Sequence, residues 1–234
     1  MVGNSKDVNS SQKHVHPKLF QLLERHREAL WREPARAVDR PALSKLDEML
    51  SEGDRPIVLD SFCGTGMSSR ILAERYPEAF IVGVDKSSKR LQKAEPLPAN
   101  ATLLHANCES IWRHLAKRGT KLARHCIFYP NPWPKAAHLS RRIHGHPAFV
   151  YLLELGGIIE LRSNWQVYVE EFGGALFHLG VPASVRVVRE QEIPISRFEH
   201  KYSASGQVLW RLQAQPAPSD DGETDAVEYD GSNA

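Results

Sequence analysis

The sequence predicts an α/β fold built on a mostly parallel sheet with helices on both faces. Three observations carry this. From residue 56 onward, strand, turn and helix patterns alternate along the chain. The strand segments are short and largely apolar, as strands covered on both faces are. The 234 residues are 41% hydrophobic and 25% charged, a globular composition whose length suits one main domain with extensions.

Taken in order, residues 1–16 are polar and without period, which predicts a disordered N-terminus. Residues 17–53 predict a helical extension. Leu19, Leu22, Leu23, Leu30 and Trp31 share one face of a helix that ends near Pro34. A second helix starts with Asp39 as N-cap and Pro41 near its first position, and runs to Gly53. Residues 54–215 form the main domain, with strands "PIVLD", "FIVGVD", "ATLLHA", "HCIFY", "IIELR", "SVRVVRE" and "QVLWRLQA". Between them "MSSRILAERYP", "SSKRLQKAE", "ESIWRHLAKRG", a short segment from Pro147 and "NWQVYVEEFGGALFHLG" read as helices. Residues 216–234 predict a disordered tail holding six acids and no Lys or Arg. The remaining body keeps all 30 basic side chains against the other 22 of the 28 acids, an excess that permits a polyanionic partner.

Other classes are disfavoured. Cys63, Cys108 and Cys126 form no CxxC pair, which argues against a disulfide framework or structural zinc. No run approaches membrane-spanning length, and the polar start lacks the apolar centre of a secretory signal. No metal, no membrane and a reducing cytoplasm are the expectations.

"VLDSFCGTG" places Asp60 at a strand end, then Gly64 and Gly66 before a helix. Such glycines permit close backbone approach, and the helix start offers free N–H groups. The next strand ends in Asp85, where an acid usually accepts hydrogen bonds from ribose hydroxyls. Ser69 stands where a dinucleotide loop has its third glycine, and no Lys-Ser/Thr follows, so neither GxGxxG nor a P-loop is present. Asp60 would repel a phosphate but suits a cation. S-adenosylmethionine, with an ammonium and a sulfonium and no phosphate, fits that requirement. The alternative is that Asp60 and Gly64 only shape a turn.

The fourth strand ends on "PNPWPK", with Lys135, Arg141 and Arg142 behind it. In a doubly wound sheet this loop lies at the carboxyl ends of the strands, where ligands bind. Prolines fix the backbone and remove N–H donors, making a rigid ledge that presents Asn131. Trp133 either stacks on a base or packs as a cap. The three cations suit a phosphate backbone, and the blander alternative is a solvated loop.

The stretch "PNPWPK…H..RRI…P.F…L..GG" resembles the tRNA (guanine-N7)-methyltransferase family, whose loop reads PDPWPK, and the likeness extends over residues 57–212. "SNW" at 163–165 and "SRFEHK" at 196–201 resemble its Thr-Asp-Trp and Thr-x-Phe-Glu elements. The resemblance implies a Rossmann-like class I fold dependent on S-adenosylmethionine, with a seven-stranded, mostly parallel sheet, and tRNA as partner. It implies that Asp60, Gly64, Gly66, Asp85 and Asn107 hold the cofactor and that Asn131 is the catalytic position. Lys135, Arg141, Arg142, Asn164, Ser196, Arg197, Phe198 and Glu199 take substrate-contact positions. Asn107, Asn131 and Asn164 each stand where an Asp is expected, Phe62 replaces the first loop glycine, and Ser140 replaces a common Lys.

Guanine N7 carries a free lone pair and no proton, so its methylation needs alignment rather than a base, and alignment alone contributes roughly 7–11 kcal/mol. An Asn can align. It cannot accept from both N1–H and N2–H₂ of guanine, so the substitutions bear on base choice. Two further readings stay open. "DSFCGTG" with "NPWP" also resembles amino-methyltransferase motifs that hold an exocyclic amine, and the missing carboxylates also suit a catalytically silent RNA- or cofactor-binding homologue. A small-molecule methyltransferase with a solvated basic loop is the blandest case.

Overall fold

The computed structural model describes residues 5–29, 31, 36–51, 53–189 and 191–216. Pro34, where the sequence places the end of the first helix, and residues 217–234 of the expected acidic tail lie outside these.

Seven strands form one sheet: β1 (Ile57–Ser61), β2 (Phe80–Asp85), β3 (Ala101–His105), β4 (Arg124–Phe128), β5 (Ile158–Ser163), β6 (Ala183–Val187) and β7 (Trp210–Ala214). Their spatial order is β3-β2-β1-β4-β5-β7-β6, with β7 antiparallel to both β5 and β6 and the other pairings parallel. The chain runs outward from β1 to β3 and then returns to β4 on the other side of β1. That reversal opens a crevice above the carboxyl ends of β1 and β4.

The covering helices are α1 (Leu19–Glu28), α2 (Arg40–Ser51), α3 (Met67–Arg75), α4 (Ser88–Leu91), α5 (Cys108–Lys117), α6 (Tyr151–Leu155), α7 (Gln166–His178) and α8 (Arg197–Ser203). Alternate strand residues enter different cores. Ile57, Leu59, Val82, Val84 and Ile127 join the larger one with α1, α2, α5, α6 and α7. Val58, Ile81, Cys126 and Phe128 join a smaller one with Leu72 of α3 and, at its edge, Tyr202 of α8. The thinner face also carries charge inside the sheet. Glu160 accepts from Arg162 (2.9 Å) and Arg211 (2.7 Å), and Arg162 donates to Glu199 (2.7 Å), so the buried carboxylates and guanidiniums neutralise one another.

Three elements differ from expectation. α1 ends at Glu28, where Ala29 turns extended and Trp31 takes Arg113 over its ring at 5.1 Å. α4 is four residues long because it buries no side chain and so gains nothing from extension. Residues 5–16 carry no helix or strand, yet the expected disorder is corrected for them by their contacts: Gln12 donates to Glu171 (2.6 Å), Ser10 to the Pro134 carbonyl (2.5 Å) and Gln207 to the Ser5 carbonyl (3.0 Å). A polar segment without period can still be held by polar partners.

All three cysteines are free and buried. No helix among the described residues is long and apolar enough to cross a membrane, and no three metal-ligating side chains are grouped among them.

Candidate active site

The loop 62–66 follows β1 and the ledge 130–135 follows its neighbour β4, so the two flank the β1/β4 reversal. Asp60 is the penultimate residue of β1 and has no exposed surface; its Oδ2 accepts from the Ser68 and Ser69 hydroxyls at 2.6 Å each, and its Oδ1 has no partner among the described residues. Burial raises its pKa to about 6, with the Asp85 charge adding and the two serine hydrogen bonds opposing. A buried, unpaired carboxylate oxygen calls for a donor, and an ammonium is the donor that also restores its charge balance.

Gly64 (φ 62°) and Gly66 (φ 76°) occupy the left-handed region, where a side chain is strained. A Cβ on Gly66 would also stand 2.8 Å from Leu103 Cδ1, whereas Gly64 faces open space. Phe62 adopts φ 64° without being glycine, at a cost of about 1–2 kcal/mol, and its ring meets the edge of buried Trp112 at 5.9 Å. The Gly64 N–H donates to Asp85 Oδ2 (3.0 Å), while Asp85 Oδ1 takes the Ser87 N–H (2.7 Å) and Arg90 (3.1 Å). A carboxylate has about four lone-pair positions. Asp85 therefore clamps the loop onto β2 and keeps room for one further donor, fewer than the two ribose hydroxyls expected of it.

Asn107 precedes α5, and Asp39 reaches it from the N-terminal extension. Asp39 Oδ1 accepts the Asn107 backbone N–H (3.0 Å), and Oδ2 accepts Asn107 Nδ2 (3.4 Å) and the Ser110 hydroxyl (2.8 Å). The acid read from sequence as the cap of α2 thus serves the start of α5. Among these groups, Asp60 Oδ1, the open face at Gly64 and the remaining acceptors of Asp85 and Asn107 fit a cationic adenosyl cofactor.

On the ledge, Asn131 is exposed and its Oδ1 accepts the Trp133 N–H at 3.3 Å. Tyr129 (φ 51°) and Trp133 (φ 47°) are both left-handed, so the ledge is strained as well as proline-stiffened. Arg142 holds it there. This residue corrects a sequence expectation: it is buried and its guanidinium donors are engaged inside the protein, which leaves none for a phosphate. Its guanidinium donates to the carbonyls of Trp133 (3.2 Å) and Lys135 (3.4 Å), to Gln12 Oε1 (3.0 Å) and to Glu171 Oε2, and it lies 5.0 Å over the Trp165 ring. Lys135 and Arg141 are exposed as expected, with Arg141 4.9 Å over the Trp133 ring. Trp133 is therefore a cap on Arg141.

The other substrate-contact residues divide. Asn164 donates to Gln207 (2.8 Å), Ser196 caps α8 by accepting the Glu199 N–H (3.1 Å), and Glu199 is buried against Arg162. Burial pushes the Glu199 pKa up, against the pull of Arg162. Arg197 and Phe198 are exposed; Arg197 pairs with Glu95 at 3.5 Å, and Phe198 stacks on Tyr202.

Sequence reasoning missed two buried nodes beside the site. Ser61 accepts from Trp112 Nε1 (2.9 Å) and bonds His125 Nε2 (2.8 Å), and burial lowers the His125 pKa to about 3. Glu171 gathers Gln12, the His16 N–H, His144 and Arg142, whose partnership outweighs burial and holds its pKa at about 2. Only one signal existed for either: a lone Glu171 on the apolar face of a helix pattern needs a buried partner.

A family model described as "Putative methyltransferase" matches residues 54–212. The tRNA (guanine-N(7)-)-methyltransferase of Leifsonia xyli is 25% identical over 66% of this chain and 74% of its own length. Those of Aeromonas hydrophila (28%, covering 68% and 72%) and Nitrosococcus oceani (29%, covering 67% and 70%) are similar. Among solved structures, the 16S rRNA methyltransferase KamB superposes with TM-score 0.56 at 16% identity over 75% of this chain and 94% of that one. The antibiotic-resistance methyltransferase Kmr gives 0.51 at 19% identity over 75% and 93%. Such likeness fixes the Rossmann-like class I fold. The chain belongs to this methyltransferase family, as a divergent, S-adenosylmethionine-dependent relative of the tRNA (guanine-N7)-methyltransferases.

Proposed function

We propose that the protein methylates N7 of guanine in tRNA, in the cytoplasm. The observation that carries this is the ledge: Asn131 stands exposed at the carboxyl end of β4, across the reversal from Asp60 and Gly64, on a backbone tied down by buried Arg142. When bound, S-adenosylmethionine supplies an electrophilic methyl group on sulfonium. Asp60 Oδ1 would take its ammonium, Asp85 a ribose hydroxyl, and Asn107 Oδ1 the adenine amine. Asn131 Oδ1 accepts the Trp133 N–H and keeps one lone pair, while its Nδ2 offers a donor to a base. A donor there suits guanine O6, the acceptor beside N7, and leaves N7 to be aligned with the methyl. An exocyclic amine would instead use the carbonyl oxygen, whose second lone pair stays open, so the ranking of N7 ahead of amine methylation rests on the tRNA-methylating relatives. Lys135, Arg141 and Arg197 are the exposed cations for the phosphate backbone. The names of the tRNA-methylating relatives support the same choice.

Incubation with methyl-labelled cofactor and unmodified tRNA, followed by nucleoside identification, tests this. N7-methylguanosine is expected; an N-methylated exocyclic amine or no incorporation would overturn it.

A further inference from the structure

We infer that Asp39, supplied by the N-terminal extension, is a positioning residue that makes Asn107 read the adenine ring as an aspartate would. This rests on the placement of adenine beside Asn107 proposed above.

An amide can present either its oxygen or its nitrogen, and little in an Asn itself decides which. Adenine shows an exocyclic amine, so the pocket needs an acceptor. At Asn107 the choice is made by its neighbour. Asp39 is 1% exposed, and its carboxylate takes the Asn107 backbone N–H on one oxygen and the side-chain Nδ2 on the other. Ser110 Oγ donates to the same Oδ2 and holds the carboxylate in register at the start of α5. An ionised carboxylate only accepts, so Nδ2 is the atom that must turn toward it. Oδ1 is left facing away, and no described residue donates to it.

The arrangement also explains why this position is not an Asp. A carboxylate at 107 would put two negative charges within contact of each other at a buried site, which disfavours ionisation of both. The carboxylate sits one layer back, at Asp39, and the amide faces the ligand.

The test compares S-adenosylhomocysteine with S-inosylhomocysteine, whose C6 oxygen would meet Oδ1 acceptor against acceptor. Calorimetry on the full chain should show the adenosyl ligand bound about tenfold or more tightly, as an unmatched buried polar pair requires. In Asp39→Asn the amide at 107 is no longer held one way, and the preference should fall toward one. The reciprocal pair Asp39→Asn/Asn107→Asp should restore it, a rescue that a purely structural role for Asp39 does not give. An unchanged preference in Asp39→Asn, or failure of the reciprocal pair to restore it, overturns the inference. If Asp39→Asn does not fold, a reciprocal pair that folds and discriminates upholds it, and one without preference overturns it. Wild-type protein that binds both ligands equally removes adenine from Asn107 and ends the inference, whereas wild-type protein that binds neither ends the cofactor-site assignment itself.

Discussion

Replacing Arg142 with Met and, separately, Arg141 with Ala sets two adjacent arginines against each other. Arg142 has no exposed surface and donates to Glu171, Gln12 and the carbonyls of Trp133 and Lys135. Methionine fills much of its volume but leaves Glu171 with His144, Gln12 and the His16 N–H as its remaining partners. Removing one member of a buried pair costs about 3–5 kcal/mol, largely the penalty of the charge left behind. For a domain of this size that corresponds to a fall of roughly 10 °C in Tm. The Trp133 and Lys135 carbonyls also lose their donor, so the ledge loosens and the transfer rate falls with it. Arg141 is exposed against the Trp133 ring, and its loss should change stability by no more than about 0.5 kcal/mol. It should instead lower the slope of log K against log salt for tRNA by about 0.7–0.9, one phosphate contact's share. Denaturant unfolding and filter binding across a salt series read the two effects. The reverse pattern, a stable Arg142→Met with a shallower slope, would refute the reading of Arg142 as a buried tie.

Two pH dependences follow from buried groups. Asp60 has its pKa raised to about 6 from the ordinary 3.8, and a bound ammonium requires its ionised form. Affinity for S-adenosylhomocysteine should therefore rise about tenfold per pH unit below 6 and flatten above it. Without ligand, the same shift makes stability fall as pH rises from 3.8 to about 6, so Asp60→Asn should raise Tm at pH 8 while losing the ligand. A pH-independent affinity would remove Asp60 from the ammonium. His125 shifts the other way, from 6.5 to about 3. Across that window the unfolded chain binds a proton that the folded one does not, so stability rises with pH by about 1.4 kcal/mol per unit and is lost as pH falls from 6.5 toward 3. His125→Gln should shed one proton from the acid-unfolding slope, as titrated denaturation would measure.

Much of this was legible from sequence because its causes are local. Continuous apolar runs such as "FIVGVD" and the glycine turn after Asp60 each follow from neighbours within a few residues, and they placed the strands, the crevice and its two flanking loops. What was not legible depends on partners far apart in the chain. Arg141 and Arg142 look alike in sequence, and only Glu171 and Gln12, folded against one of them, separate a surface cation from a buried one. Asp39 reads as a cap for its own helix because the 68 residues to Asn107 carry no trace of their meeting. Likewise Ser196 and Glu199 read as ligand contacts, while a helix cap and the β5 guanidinium use them. The strain at Tyr129 and Trp133 is invisible for a related reason: neither residue type signals φ > 0, and the surrounding ties impose it.

The proposed methyl transfer works by alignment, with no proton taken from the base. The single-turnover rate with saturating cofactor and tRNA, measured from pH 7 to pH 9, addresses that directly. It should stay flat in the wild type, and Asn131→Ala should lower it by about 100-fold without changing its shape, the loss expected when a reacting group is misplaced. A rate that climbs tenfold with each pH unit would mean that a proton leaves in the transition state, and would contradict both the N7 assignment and the role given to Asn131.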